Sequence, residues 1–223
     1  MTKQTDPVIV GGVVEKYLLN ILRPRDKVLK YLEKDARENS VPIIGPLCGN
    51  LISIIATGCN AKNILEIGTA TGYSGIWLAR VAKKNSGKLI TIEMDRKRLG
   101  IAKKSFSKAG LSDNVETLHG DAKEIVPKIA EKQKGRFDVV FEDVGDKSIY
   151  VDLLKPCIDA LRVGGYLIAD NSLWSGRVAL PSFDDKDTNT IRKFNKLVYQ
   201  DKRLLPVVVP LRDGMTICLK TSE

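Results

Sequence analysis

One histidine, His119, occurs in the whole chain. That scarcity leaves no His-rich metal site and no Ser-His-Asp arrangement that is not built on this residue. Cysteine is nearly as sparse. Cys48, Cys59, Cys157 and Cys218 form no C-x-x-C pair and match no zinc spacing. They read as small buried hydrophobes, consistent with a reducing compartment. No apolar run approaches the roughly 18 residues of a membrane span. The segment Met1 to Pro7 lacks a signal-peptide core, so a cytoplasmic location with no membrane partner is expected. Aromatic residues make up 6% of the chain and do not interleave with its lysines, so no stacking platform for single-stranded nucleic acid is visible. Linkers, internal repeats and low-complexity segments are also missing.

What is present suits one α/β domain with ample core: 223 residues, 43% hydrophobic and 28% charged. The net charge of +9 is uneven. Between Arg80 and Lys108 the only acids are Glu93 and Asp95. Such a stretch is either a solvated helical face or an electrostatic footprint for an anionic partner, such as RNA or a CoA-bearing substrate.

The chain is organised around Asn63 to Ala79, NILEIGTATGYSGIWLA. Ile64, Leu65 and Ile67 form a short apolar run fit for a strand buried on both faces. Gly68 and Gly72 bracket a turn, and Ile76 to Ala79 carry the apolar side of a helix. A turn of this kind aims free N–H groups and a helix dipole into a crevice. Glu66 is a carboxylate inside the apolar run, and burial of an unpaired carboxylate is costly enough to demand a role. The glycines do not fit G-x-G-x-x-G, and alone they are compatible with a plain strand–helix connection. The next strand, Leu89 to Glu93, ends in an acid roughly 20 residues past the turn, where nucleotide-binding α/β units hold ribose hydroxyls. Glu66 and Glu93 together favour a bound nucleoside.

Residues 8 to 58 have helical spacing in three segments, separated at Pro24 and at the rigid loop Ser40 to Pro46. Residues 1–60 are expected to form a helical cap and 61–223 the α/β core of a single domain. Strands are expected at 63–67, 89–94, 115–119, 137–142 and 165–169, with helices at 73–84, 96–109, 122–132 and 149–161. This alternation implies a parallel sheet with helices on both faces. After a helix at 188–201, two close strands at 204–209 and 215–219 must pair antiparallel if they are neighbours. Ligands bind beyond the carboxyl ends of such strands. Those tips carry Gly120-Asp121-Ala122 after the third strand, Glu142-Asp143 after the fourth and Asp170-Asn171 after the fifth. Oxygen ligands from Asp143, Asp170 and Asn171 would suit a hard cation such as Mg²⁺. Alternatively, Asp170-Asn171 opens a loop and caps the next turn.

The runs LEIGTATGYSG, HGDA, FEDVGDKSIY and above all ADNSLWSGRV resemble the cation-dependent class I O-methyltransferases, similar to catechol and caffeoyl-CoA O-methyltransferases and especially to their bacterial members. The resemblance runs from about Tyr17 to the final hairpin. It implies a three-layer Rossmann-like sandwich with seven mostly parallel strands, the last antiparallel, and a homodimer. S-adenosylmethionine would lie with its ribose on Glu93, its methionine part along Gly68 and Thr69, and its carboxylate near Ser74. Glu66 would sit beneath the amino-acid end, with backbone from Ile44. Asp121 and Ala122 would flank the adenine. Asp143, Asp170 and Asn171 would hold the divalent cation, and Trp174 and Arg177 would border the acceptor. The implied reaction methylates a hydroxyl of a small catechol-like or caffeoyl-type aromatic, with Lys147 taking or holding the phenolic proton. Two other functions share this machinery: methylation of a hydroxylated uridine in transfer RNA, and a non-catalytic cofactor-binding module. One departure stands out. The family pattern is Asp-Ala-Asp-Lys, whereas Asp143-Val144-Gly145-Asp146-Lys147 has one residue more, and Glu142 replaces an apolar residue. Gly145 could absorb the extra residue as a bulged turn.

Overall fold

The computed structural model describes residues 12–223. The readings for Met1 to Pro7 and for residues 8–11 lie outside the described residues. Three helices come first, α1 (Gly12–Ile21), α2 (Lys27–Asn39) and α3 (Gly45–Gly58). There follow β1 (Asn63–Ile67), α4 (Tyr73–Lys84), β2 (Lys88–Glu93), α5 (Arg96–Lys108), β3 (Val115–His119), α6 (Ala122–Lys132), β4 (Phe137–Glu142), α7 (Ser148–Ala160) and β5 (Leu161–Ala169). The chain closes with α8 (Lys186–Gln200), β6 (Leu204–Val209) and β7 (Met215–Lys220). No helix among the described residues is long and apolar enough to cross a membrane.

Short-range chemistry starts the helices where side-chain acceptors allow it. Asp26, Asp95, Asp121 and Asp185 each accept backbone N–H groups at the first turns of α2, α5, α6 and α8. The seven strands run in the order β3-β2-β1-β4-β5-β7-β6. The pairs from β3 to β5 are parallel, and β7 is antiparallel to both β5 and β6, so the expected sheet and its reversed last strand are present. Two apolar clusters sandwich it. One joins α2, α3 and α4 to the Ile64, Val139 and Ile168 face. The other joins α6, α7 and α8 to the Leu65, Val140 and Leu167 face. The order reverses between β1 and β4, so the crevice for a ligand opens beyond the carboxyl ends of those two strands.

One element departs from the pattern in a way that matters. β5 begins at Leu161, not 165, and α7 stops at Ala160. Phe137 pairs with Leu161 but Val139 pairs with Tyr166, so a wide bulge absorbs the extra residues. Gly164 takes φ +80° there, and a side chain on Gly165 would meet the Asp138 carbonyl oxygen at 2.9 Å. Arg162 on that bulge reaches Asp138 through Nε at 2.6 Å. Periodicity alone reads a glycine pair as an interruption and misses the strand before it.

Candidate active site

The β1–α4 turn brings the site together. Gly68 has φ +98°, and a Cβ there would lie 2.0 Å from the Asp143 carbonyl oxygen. Only glycine permits the ends of β1 and β4 to come this close. The Asp143 N–H donates to the Ile67 carbonyl at 2.9 Å, continuing the ladder to the strand tip. Gly72, at φ +91°, opens α4 with no side-chain cap, so the first N–H groups of the helix stay available to an anion.

Glu66 is fully buried. Its Oε2 accepts from the Thr91 hydroxyl at 2.6 Å, and the Thr91 and Thr69 hydroxyls are 2.5 Å apart. Its Oε1 has no partner. Burial pushes the carboxyl up to about 7, against the hydroxyls of Ser74 and Thr91, which favour the charged form. Glu93 sits at the tip of β2, accepting from the Ala70 N–H at 2.8 Å and the Asp95 N–H at 2.9 Å.

Two cavities meet at the strand tips. One, of about 450 Å³, is lined by Gly68, Glu93, Ala122, Asp143, Lys147 and Trp174. The other, of about 570 Å³, is roofed by the Val41–Leu47 segment and α2 and floored by Asp143, Asp170, Arg212 and Asp213. Pro42, Asp143 and Asn171 line both. Ile44 is buried between Ile43 and Gly45, which line the second cavity.

Asp170 is buried, and its Oδ1 has no hydrogen-bond partner. Burial raises its pKa first and the charge of Asp143 raises it further. Asp143 is raised too, by burial, with Lys147 and Arg212 opposing. Two carboxylates that disfavour each other's charge, one with an orphaned oxygen, suit a cation. Asn171 adds an amide oxygen. Among the described residues no group of three or more His, Cys, Asp or Glu side chains could hold a metal ion. The candidate donor set is therefore two carboxylates and one amide, completed by ligand oxygens.

Lys147 turns inward despite the extra residue. The loop bulges into solvent at Gly145 and Asp146, and Lys147 is buried. Gly145 is not in the left-handed region, so the bulge does not use its glycine freedom. Asp146 accepts from the Ser148 N–H at 2.9 Å at the start of α7 and lines the smaller cavity. The Lys147 ammonium donates to the Val144 carbonyl at 2.7 Å, to the Asn171 Oδ1 at 2.9 Å and to the Tyr150 hydroxyl at 3.3 Å. Its Nζ lies 5.2 Å from the centre of the Trp174 ring. Burial lowers its pKa, and Asp143, Asp170 and Asp213 oppose that shift. Just behind Asp143, Glu142 is fully buried, accepts from the Cys157 thiol at 3.3 Å and is pushed up to about 8 by burial. Cys157 thus serves as more than a packing residue.

Among the expected residues, Ile44, Glu66, Thr69 and Ser74 are buried and, like Asp121 and Arg177, are not among the residues that line either cavity. The Asp121 side chain accepts from the Lys123 N–H at 2.8 Å as the α6 cap, and its neighbours Gly120 and Ala122 do the lining. Arg177 lies outside both linings, with its guanidinium 5.2 Å from the Phe183 ring. Conversely, Arg212 and Asp213 enter the site although their sequence reads only as a hairpin turn. The Arg212 guanidinium donates to the Ile43 carbonyl at 2.9 Å. No signal in the sequence joins these two positions, 169 residues apart.

Residues 24–221 match the sequence model of the O-methyltransferase family. A catechol O-methyltransferase of Niastella koreensis is 34% identical, with 92% of this chain and 96% of that protein covered. Caffeoyl-CoA O-methyltransferase 2 of Petunia hybrida is 32% identical over 78% of this chain and 74% of its own. The crystal structure of the O-methyltransferase TomG from Streptomyces achromogenes, in complex with S-adenosylmethionine, superimposes with a TM-score of 0.85 at 28% identity, covering 94% and 96% of the two chains.

Proposed function

The chain belongs to the O-methyltransferase family, and from that premise we propose a divalent-cation-dependent enzyme that methylates one hydroxyl of a small vicinal-dihydroxy aromatic. The observation that carries this reading is the orphaned, buried Oδ1 of Asp170 facing a cavity that Asp143 and Asn171 share. S-adenosylmethionine supplies a methyl group on a sulfonium. A cation held by Asp143, Asp170 and Asn171, Mg²⁺ by its preference for oxygen donors, supplies Lewis acidity toward the acceptor's hydroxyls.

The chain's own residues do the rest. Glu93 receives the ribose hydroxyls, and Gly68 and Ala122 pass the nucleoside along the wall of the smaller cavity, with the buried Thr69 next to Gly68 in the chain. Glu66, with one free oxygen, receives the cofactor's ammonium, and Ser74 at the open start of α4 receives its carboxylate. Ile44 presents its backbone from the opposite wall. Lys147, whose pKa is lowered by burial, is the group placed to take or hold the acceptor's phenolic proton. Its ammonium has three acceptors ready, in Val144, Asn171 and Tyr150. Trp174 narrows the space beside Lys147 and orients the ring. Alignment of acceptor oxygen, methyl carbon and sulfur is where the two meeting cavities contribute most.

The comparison that tests this is methyl transfer to catechol with and without excess EDTA. Activity is expected to vanish with chelator and return with Mg²⁺; undiminished turnover in EDTA sinks the cation role. Transfer RNA assayed in parallel as acceptor identifies the alternative, which the basic face of α5 would serve.

A further inference from the structure

The β6–β7 turn does more than reverse the chain. The loop after β5 is backbone-strained: Asn171, Trp174 and Ser175 all have positive φ, at 59°, 48° and 55°. Bulky residues occupy that region only when their surroundings hold them there. The Trp174 N–H donates to the Asn171 carbonyl at 3.3 Å, and what holds Asn171 and Ser175 is Asp213. Its Oδ2 accepts from Asn171 Nδ2 at 3.1 Å, its Oδ1 accepts from the Ser175 N–H, and its carbonyl accepts from the Leu173 N–H at 2.8 Å. The neighbouring Gly214 carbonyl accepts from the Ser172 N–H at 3.0 Å. Gly214 has φ +82°, and a Cβ on it would strike Leu173 at 2.4 Å, so turn and loop are in direct contact.

We infer that Asp213 is a positioning residue that fixes which end of the Asn171 amide faces Asp143 and Asp170. A carboxylate only accepts, so the nitrogen must face Asp213. An ammonium only donates, so the oxygen must face Lys147, 2.9 Å away. Asn171 is thereby locked from both sides with its oxygen inward. A flipped amide would turn N–H groups toward a cation and remove a ligand. Partners behind a metal ligand orient it in this way, and their loss typically costs about 10- to 100-fold in metal affinity.

This role rests on the cation reading above, and the test separates the two. Mn²⁺ binding is measured by calorimetry, with S-adenosylhomocysteine present, for the intact protein, Asp213→Asn, Asn171→Asp and the double variant. Asp213→Asn is expected to weaken Mn²⁺ binding at least about tenfold in the native background. It should weaken it less than about threefold beside Asn171→Asp, where both ends of the side chain are oxygen and orientation no longer matters. Unchanged S-adenosylhomocysteine affinity reports that each variant is folded. An equal loss in both backgrounds overturns the positioning role and leaves the cation reading intact. No Mn²⁺ binding by the native protein overturns both.

Discussion

Strand β4 carries acids at both ends. At its start, Asp138 accepts from the Lys62 and Asn63 N–H groups at 2.8 Å each and from Arg162 at 2.6 Å. Both of its oxygens are used, and it ties the beginnings of β1, β4 and β5 together. At the other end, Glu142 Oε2, Asp170 Oδ1 on the neighbouring strand and Glu66 Oε1 on the other neighbour have no partner. A buried polar atom without a hydrogen bond costs about 1–3 kcal/mol. The protein meets that cost repeatedly at one edge of its sheet and nowhere along β4's other end. The difference teaches where ligands belong: the amino-terminal edge is built for stability, the carboxyl edge for groups that arrive later.

Substitutions at the two edges should therefore fail in opposite ways. The largest effect is expected for Asp170→Ala. Methyl transfer should fall by roughly 100- to 10,000-fold, the order of the several kcal/mol that Lewis-acid assistance supplies. S-adenosylhomocysteine affinity should stay within about threefold, because the nucleoside contacts proposed above lie in the other cavity, which Asp170 does not line. Steady-state kinetics and calorimetry read the two numbers, and a joint collapse of both would erase the distinction drawn here. Asp138→Ala should do the reverse. Two backbone N–H groups and a guanidinium lose their acceptor, at about 3 kcal/mol in total. The melting temperature should drop by roughly 6–12 °C for a chain of this size, while turnover per folded molecule is retained. A variant that melts normally but is inactive would show that the stabilising edge also serves the chemistry.

Glu66→Gln gives the smallest and sharpest contrast. The folded-state pKa is about 7 against an ordinary 4.5. Below the ordinary value both states hold the proton. As pH rises from 4.5 to 7 the unfolded chain ionises first, so stability falls; above 7 the penalty levels at up to about 3 kcal/mol. The glutamine variant lacks this slope. It should gain on the native protein in melting temperature between pH 5 and pH 8, yet bind S-adenosylmethionine more weakly. Parallel melting curves across that range would mean that Glu66 is not the group that carries the penalty.

Much of this was legible beforehand. The alternation of apolar runs with helical spacing placed all seven strands, and the acids at Glu93, Asp143 and Asp170 sat at strand tips where a parallel sheet gathers its ligands. The β5 bulge is hidden because Gly164-Gly165 reads as a break, whereas the Asp121 side chain accepts from the Lys123 N–H of its own helix, a contact two residues away in the chain. Arg177 follows Trp174, Ser175 and Gly176, a turn of left-handed residues, and lies outside both cavity linings.

Short-range rules explain that division. Strand, helix, cap and turn depend on residues a few positions apart, so the sequence alone determined the layers, the parallel order of the core and the row of acids along one edge. Whether an acid ends up satisfied or orphaned depends on what approaches from far along the chain. Asn171 meets Asp213 across 42 residues and Arg212 meets Ile43 across 169. Only the closed sheet, with β7 laid beside β5, decided that Lys147 faces inward and that Asn171 presents its oxygen.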